Sequence, residues 1–413
     1  MPNHDVELRP FPYPYRAMLA ICSDLDETPD RQVYWEIMRY LNTTRSTSIG
    51  PGLGLEVGNT IYFDMPTDQF SYWNTDDAGR QMVHALIHSG HVDCLHSYGD
   101  NATTRSHAQR ALDDLQKHDC QLDVWIDHAV APSNLGADIM RGEGDVPGSD
   151  AYHADLTVDF GVRYVWRGRV TSVIGQDTKR RLGGIFRAAH PLRSTVTLGK
   201  EWAKGTPIWT DGTKYAMHRP NRVLRPARLR DGRPVYEFLR CNPYWGGVEN
   251  AATADGLAEV MTRRALRRLV ERGGVCVFYT HLGKIRQHDR PFSPATRQAL
   301  SRLAKLHHAG RLLVTTTRRL LGFCRATRDV SVRVSKGSRG CWIDLSHNHE
   351  GPDAIGTLEP RDLQGLTFYV RDPRSTHLRV DGQELEQVVL NPADHTGRMS
   401  VSIPWRPLEF PQL

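Results

Sequence analysis

The sequence lacks any long hydrophobic run. No apolar stretch approaches the roughly 18 residues that a membrane-spanning helix needs. The first residues, Met1–Asp5, contain neither the basic segment nor the apolar segment of an export signal. We therefore expect no membrane span and a cytoplasmic location.

Paired cysteines are also absent. The seven cysteines are scattered, odd in number and never spaced as Cys-x-x-Cys, so neither a disulfide framework nor a thiolate zinc site is indicated. Cys22, Cys94 and Cys276 lie within apolar runs, where a free cysteine packs as a small hydrophobic residue. We expect reduced, structural cysteines.

The sequence has only a small excess of positive charge. The formal net charge of +6 is modest for 413 residues and permits an anionic ligand without requiring one. The arginines of Thr262–Leu269 fit a solvated helix face, and we expect no nucleic-acid partner. The basic stretch His218–Arg230 is the better candidate for contact with an anion.

Short apolar runs alternate with helical patterns over most of the chain. The runs are predicted as strands at Met18–Cys22, Val92–Leu95, Leu122–Ile126, Val162–Trp166, Val235–Leu239, Val275–Tyr279 and Leu312–Val314. The helices are predicted at Arg31–Leu41, Ala78–Ser89, Arg105–His118, Ala254–Glu271 and Pro294–His308. This alternation predicts an α/β fold with a parallel sheet and crossover helices, open or closed into a barrel.

The pattern changes near residue 328. Short alternating segments at Val330–Val334, Thr367–Val370, Leu378–Val380 and Met399–Ile403 predict strands separated by turns. We therefore predict a catalytic domain over 1–327 and a small β-sandwich domain over 328–413. Residues 171–234, rich in Arg, Gly and Pro, are predicted to form an irregular insertion.

Acidic and imidazole side chains follow two of the apolar runs. Asp24 and Asp26 come directly after the first run, and His96 and Asp100 come after the run at Val92–Leu95. Polar groups just past the carboxyl ends of parallel strands are where α/β proteins place their chemistry. Asp24 and Asp26 could equally be turn and cap residues ahead of Pro29 if they stood alone.

Three segments together resemble the motifs of the polysaccharide deacetylase group, carbohydrate esterase family 4. Asp24-x-Asp26 resembles its first motif, and Gly90–Asp100 resembles its second, a Gly-His pair followed by His-[Ser/Thr]-x-x-His. Val275–His281 resembles its last motif, a strand that delivers one histidine. The three occur in the family's order and span about residues 15–320. The carboxylate at position 100, in place of a histidine, is a departure.

The resemblance implies an irregular (β/α) barrel of fewer than eight repeats and a metal-dependent hydrolase. The enzyme would remove an N-acetyl or similar acyl group from a sugar in a saccharide or saccharide precursor. Asp26, His96 and Asp100 would hold the metal, Asp24 would be the base on the attacking metal-bound water, and His281 would be the acid. Zinc is the first expectation, with Mn, Fe, Co or Ni as alternatives, because a carboxylate ligand hardens the site. If the chain were helical there, His96 and Asp100 would lie on one side of a turn.

Other strand ends supply further candidate residues. Asp127, His128 and Asn134 follow one strand, Trp166 and Arg167 follow the next, and Arg240 and Tyr244 follow another. The family usually has an arginine that orients the base Asp, but no arginine occurs between Arg110 and Arg141. Asp127 or His128 could replace it or complete the metal shell, the Trp166 region could supply the cation, and Arg240 with Tyr244 could line a sugar pocket. Aromatic residues beside strand ends are also common in ordinary cores.

Two alternatives remain open. Asp24 to Thr28 also resembles the first motif of haloacid-dehalogenase-like phosphatases, in which Asp24 would attack phosphorus and Asp26 would be the acid/base beside magnesium. That family needs a second acidic pair after a later strand, and the strand predicted at Val275–Tyr279 is followed by no acidic pair up to Lys284. The other alternative is a catalytically inactive barrel that binds glycan with help from the β domain.

Overall fold

The structure is a computed structural model. It describes residues 6–24, 27–206, 213–243, 253–284, 291–338, 340–347 and 355–413.

Strands occur throughout the described chain. They are β1 (Val6–Leu8), β2 (Met18–Ser23), β3 (Asn59–Ile61), β4 (Val92–His96), β5 (Val124–Ile126), β6 (Tyr164–Trp166), β7 (Val170–Thr171), β8 (Leu224–Arg228), β9 (Pro234–Phe238), β10 (Arg240–Cys241), β11 (Val275–Thr280), β12 (Leu313–Thr315), β13 (Val330–Gly337), β14 (Gly340–His347), β15 (Thr367–Val370), β16 (Thr376–Val380), β17 (Gln383–Glu384), β18 (Val389–Asn391) and β19 (Ser400–Ser402).

Helices lie between many of these strands. They are α1 (Arg31–Asn42), α2 (Asp77–His88), α3 (Arg105–Lys117), α4 (Ala154–Phe160), α5 (Pro191–Lys204), α6 (Leu257–Val260), α7 (Arg263–Arg272), α8 (Pro294–His308) and α9 (Thr317–Asp329). The prediction of α8 is confirmed, and the Ser293 hydroxyl caps it by accepting the Thr296 N–H at 3.2 Å. None of the described helices is long and apolar enough to cross a bilayer.

The central sheet is large, mostly parallel and curled. Its strand order is β7-β10-β11-β2-β3-β4-β5-β6-β9-β8, with β12 also beside β2, and only β8 runs antiparallel to its neighbour. The segment Pro234–Cys241 takes part near both edges of this sheet, because its strand β9 pairs with β6 and its strand β10 pairs with β11. The sheet therefore curls round to meet itself through one stretch of chain, which agrees with the prediction of a mixed α/β fold.

The strand register sets two polar residues side by side. All residues of β2 and β11 are buried, and their parallel register runs from Met18 opposite Val275 to Ser23 opposite Thr280. The N–H of Asp24 continues the ladder by donating to the Thr280 carbonyl at 2.9 Å. Since the two strands end level, Asp24 and His281 leave the sheet at the same edge.

The strands after residue 330 form two further four-stranded sheets. One has the order β13-β14-β16-β17 and the other β1-β15-β19-β18. Buried side chains of both sheets, such as Ile343, Leu378, Phe368 and Val401, belong to one hydrophobic cluster. The predicted all-β C-terminal part is present, and strand β1 from the start of the chain pairs with it.

Two local predictions are wrong. The segment 171–234, expected to be irregular, contains helix α5 and strand β8. The hydrophobic pattern did not predict this helix, because α5 buries polar side chains rather than apolar ones. The helix predicted over Ala254–Glu271 is interrupted, since Thr262 adopts an extended backbone and caps α7 through its hydroxyl.

Candidate active site

A buried ion pair lies at the carboxyl end of β2. Arg240 donates to both Asp24 oxygens, from Nη1 to Oδ2 at 3.2 Å and from Nη2 to Oδ1 at 3.1 Å. His96 Nε2 lies 3.1 Å from Asp24 Oδ2. All three side chains are almost completely buried. Residues of β4 and β10 therefore converge on the carboxylate that follows β2.

Electrostatics keep this carboxylate ionised. Burial alone would raise the pKa of Asp24, but the charge of Arg240, followed by that of His96, outweighs burial and holds the pKa well below its usual range. Burial opposes the charged form of Arg240 too, and Asp24, followed by Cys22, nevertheless raises the pKa of Arg240 above its usual range. Asp24 is thus an anion with a fixed orientation.

Aromatic faces and a thiol complete the surroundings of Arg240. Its guanidinium lies 4.1 Å from the Trp166 ring centroid and 4.8 Å from that of Tyr279, and Nη2 donates to Cys22 Sγ at 2.9 Å. Cation–π contacts of this kind stabilise a desolvated guanidinium. Arg240, predicted as a pocket-lining residue, is therefore placed as the partner of Asp24, and Trp166 packs against it.

His96 belongs to a second group of side chains. Its ring stacks on Tyr62 with centroids 4.5 Å apart and meets the His128 ring edge-on at 5.0 Å. His128 Nδ1 lies 2.9 Å from Asp100 Oδ1. The structure thus brings His96, His128 and Asp100 together next to Asp24.

The turn between His96 and Asp100 is not helical. Ser97, Tyr98 and Gly99 have φ of 47°, 71° and 109°, so the expectation that His96 and Asp100 lie on one side of a helical turn is wrong. Non-glycine residues with positive φ are costly and cluster at functional sites. The chain instead turns sharply, leaving His96 against Asp24 and Asp100 against His128.

The loop after β5 is braced from within. Asp127 Oδ1 accepts the Trp125 Nε1–H at 2.7 Å and the Leu135 N–H at 2.8 Å. The Asn134 side chain accepts the His128 N–H at 2.9 Å and donates to the His128 carbonyl at 3.0 Å. Asp127 and Asn134 therefore position His128 through the backbone of this loop.

Burial raises the pKa of Asp127 to about 7, with its two hydrogen bonds and Arg167 opposing that rise. Its Oδ2 is buried without a hydrogen-bond partner among the described residues. With Oδ1 bonded to Trp125 and Leu135, the Asp127 carboxyl group acts as a brace inside the loop.

Arg167 does not supply the missing cation. Its Nε donates to the buried Glu237 at 3.1 Å, and Arg169 lies 3.1 Å from the same carboxylate. Arg225 also pairs with Glu237. Despite burial, these arginines lower the pKa of Glu237. Arg167 therefore belongs to a neighbouring ionic cluster. The cation that contacts Asp24 is Arg240, not an arginine of the Trp166 region.

His281 follows the neighbouring strand β11, which ends level with β2. It is buried, its Nε2 lies 3.1 Å from the Tyr279 hydroxyl, and its charge contributes to lowering the pKa of Asp24. Tyr279 also faces Arg240. His281 and Arg240 are thus linked through one tyrosine.

Two predicted residues lie outside the described chain, namely Asp26 and Tyr244. Among the described residues, no three His, Cys, Asp or Glu side chains form a group able to hold a metal ion. The described donors near Asp24 include the imidazoles of His96 and His128 and the Asp100 carboxylate, which are ligand types that zinc accepts.

Tyr62 was missed by the sequence analysis. It follows the short strand β3, and its ring contacts both His96 and His128. The only signal was the apolar run Ile61–Phe63, which is too short to predict a strand by itself.

Comparison with known proteins adds no assignment. No protein-family model matches the chain, and no curated protein is similar to it. The arrangement itself offers a fixed anionic carboxylate, several imidazoles and a buried cation at one edge of a parallel sheet. Such a set can accept a proton and donate a proton.

Proposed function

We propose that this protein is a divergent polysaccharide deacetylase, a metal-dependent hydrolase that removes an acetyl or similar acyl group from an amino sugar. The single observation that carries the proposal is the bidentate pair of Arg240 with Asp24. The resemblance assigns the base role to Asp24 and calls for an arginine that orients it. Arg240 meets this requirement from a different strand.

The roles of the chain's own residues follow from their contacts. Arg240 and His96 hold the Asp24 carboxylate in one orientation, so it can accept a proton from water at a defined point. His281, within electrostatic reach of Asp24, would donate a proton to the departing amine. A base and an acid held on either side of the scissile amide are the groups that this hydrolysis requires.

A divalent cation would supply an acidified water and polarise the amide carbonyl. Its ligands would be His96 and the His128–Asp100 pair, together with Asp26, which the resemblance assigns as a ligand. We include His128 because its ring lies 5.0 Å from His96 and because Asn134 fixes its backbone. A carboxylate behind a ligating histidine is a frequent second-sphere arrangement.

The phosphatase alternative is weaker. It requires a second acidic pair after a later strand, and the residues that follow β11, His281 to Lys284, include no acidic side chain.

The proposal is tested by acetate release from a panel of N-acetylated mono- and oligosaccharides. We expect activity in the metal-loaded wild type, loss of activity with a chelator, and a loss of at least about 100-fold in Asp24→Asn and His281→Ala, since each removes a proton-transfer group. Arg318→Lys is the matched control. Arg318 is also buried between carboxylates, but it contacts Asp123 just before β5, at the opposite end of the strands.

Metal content provides the second readout. Mass spectrometry of purified wild type should find near-stoichiometric divalent metal, and His96→Ala should lose it while remaining folded by circular dichroism. A folded wild type that retains no divalent metal after reconstitution and releases no acyl group from any substrate would refute the proposal.

A further inference from the structure

Helix α5 turns its apolar side outward. Leu192 is 83% exposed and Trp202 is 65% exposed, and Val196 between them is also exposed. The buried residues of the helix are polar, namely Ser194, Thr197 and Glu201. This is the reverse of the pattern expected for a helix that packs on a core.

The buried face of α5 is held by specific polar contacts. Glu201 accepts the Thr171 hydroxyl at 2.9 Å and the Ser172 N–H at 3.0 Å, and it pairs with Lys204. The Ser194 hydroxyl accepts the N–H of Arg187 at 2.9 Å. These contacts fix the orientation of the helix, so the outward apolar face is a built feature of the fold.

A cluster of arginines lies beside this helix. Arg264, Arg268 and Arg272 recur every four residues along α7 and line one cleft with Arg181. Among the residues that the structure describes, no carboxylate lies within ion-pair distance of these four arginines. Burial, followed by the neighbouring arginine charges, lowers the pKa of Arg268, as expected where positive charge is uncompensated.

The segment 184–187 joins the two features. Arg268 donates to the Gly184 carbonyl on one side, and Arg187 contacts Ser194 of α5 on the other. Phe186 lies between these contacts and is exposed. This segment therefore joins the arginine cleft to α5, and we call the exposed apolar side chains of α5 and Phe186, together with the α7 arginines, the α5–α7 surface.

The basic stretch favoured by the sequence behaves differently. Arg225 pairs with Glu237, Arg230 pairs with Asp145, and Arg222 lies near Asp177. Its positive charge is largely neutralised inside the protein. Among the described residues, the arginines without a carboxylate at ion-pair distance include Arg264, Arg268 and Arg272 of α7.

We propose that the α5–α7 surface binds the anionic surface of a lipid bilayer, with Leu192, Val196, Trp202 and Phe186 entering the headgroup boundary and the α7 arginines contacting lipid phosphates. Helices with Trp and Leu on one face and cations nearby bind membranes in this way. The contact is peripheral and requires no membrane span. It stands independently of the proposed deacetylase activity.

Charge favours a bilayer over a second copy of the chain. In a symmetric dimer built on this face, each arginine cluster would approach its own copy, and like charges brought together oppose association. An anionic bilayer supplies the opposite charge and an apolar interior at once. Nucleic acid would satisfy the arginines but would leave the aliphatic side chains of α5 in water.

Vesicle flotation tests the proposal with the full chain. We expect binding to phosphatidylcholine vesicles that contain phosphatidylglycerol, little binding to phosphatidylcholine alone, and release by high salt. Each cation at such a surface contributes about fivefold in affinity, so Arg264→Gln with Arg268→Gln should weaken binding roughly 30-fold. Leu192→Ser with Trp202→Ser should weaken it about tenfold or more.

Two matched controls separate this surface from general effects. Arg267→Gln removes a cation of the same helix that pairs with Glu271 at 3.6 Å, and Leu390→Ser removes an exposed apolar side chain of the C-terminal sheets. Both should bind within about twofold of wild type. Wild type that ignores the anionic vesicles, or double variants that bind like wild type, would overturn the proposal. So would a dimer, seen by sedimentation without lipid, that Leu192→Ser with Trp202→Ser dissociates.

Discussion

The Asp24–Arg240 pair should be strongly coupled in stability as well as in function. Both side chains are buried and joined by two hydrogen bonds. Removing one partner of a buried ion pair leaves the other charge uncompensated, which costs about 3–5 kcal/mol. We therefore expect Asp24→Asn and Arg240→Met each to lower the free energy of unfolding by about that amount.

A double-mutant cycle isolates the interaction. The Asp24→Asn/Arg240→Met variant removes both charges together, so it should be destabilised by less than the sum of the single variants, with a coupling of about 2–4 kcal/mol. Unfolding is followed by circular dichroism in urea at neutral pH. Arg318→Met with Asp24→Asn serves as the reference cycle, because Arg318 contacts Asp123 and Asp362 at the other end of the strands, and its coupling to Asp24 should be near zero.

The pH dependence of the cycle has a definite sign. The pKa of Asp24 is lowered in the folded state. The ionised carboxylate therefore stabilises the fold fully above the pKa of an unfolded Asp, and this stabilisation is lost as the pH falls below that value. Without Arg240, burial would dominate and Asp24 would take up a proton at higher pH. The destabilisation by Arg240→Met should therefore shrink between pH 8 and pH 5. A constant effect across that interval, or additive single variants, would refute the reasoning.

Three further predictions concern the loops around the pair. Asp127→Asn should raise the free energy of unfolding by on the order of 2 kcal/mol more at pH 8 than at pH 5, because burial raises the pKa of Asp127 to about 7 and its ionisation above that pH opposes folding. Urea unfolding at both pH values measures this difference, and an equal effect of the substitution at both would contradict the prediction. His128→Ala should lose bound metal at least as fully as Asp100→Asn, measured by mass spectrometry, whereas loss in Asp100→Asn alone would favour Asp100 as the direct ligand. Gly99→Ala should cost about 3 kcal/mol in unfolding free energy, because φ is positive and a Cβ would overlap a backbone carbonyl; Gly148→Ala, also at positive φ but in open space, should cost clearly less.

The parts of the fold that were predictable are those with strong local patterns. Strands β2 and β11 are continuous apolar runs, and α8 has both apolar periodicity and a Ser-Pro start, so sequence alone located them. Strand β3 has only three residues and gave no comparable signal. Helix α5 was missed for a physical reason, because it buries hydrogen-bonded polar residues and exposes apolar ones.

The sequence predicted which residues of the site follow strand ends. It did not predict which side chains contact each other there. Asp24, His96 and His281 follow apolar runs, and the parallel register places them at one edge. Which arginine meets Asp24 depends instead on how the sheet curls. Arg240 is 216 residues away in sequence, and no local spacing links it to Asp24.

The position of Arg240 ties the candidate chemistry to the closing of the sheet. Segment Pro234–Cys241 pairs with β6 through its first half and with β11 through its second, and Arg240 begins that second half. The residue that fixes the Asp24 carboxylate is therefore delivered only when the two ends of the sheet meet. Since Arg240 also contacts Trp166 on β6 and Tyr279 on β11, its ion pair with Asp24 in turn stabilises the junction. A protein that depends on this contact for both purposes cannot lose the ion pair without weakening the closure, which is why we expect stability and activity to fall together at this position and separately elsewhere in the site.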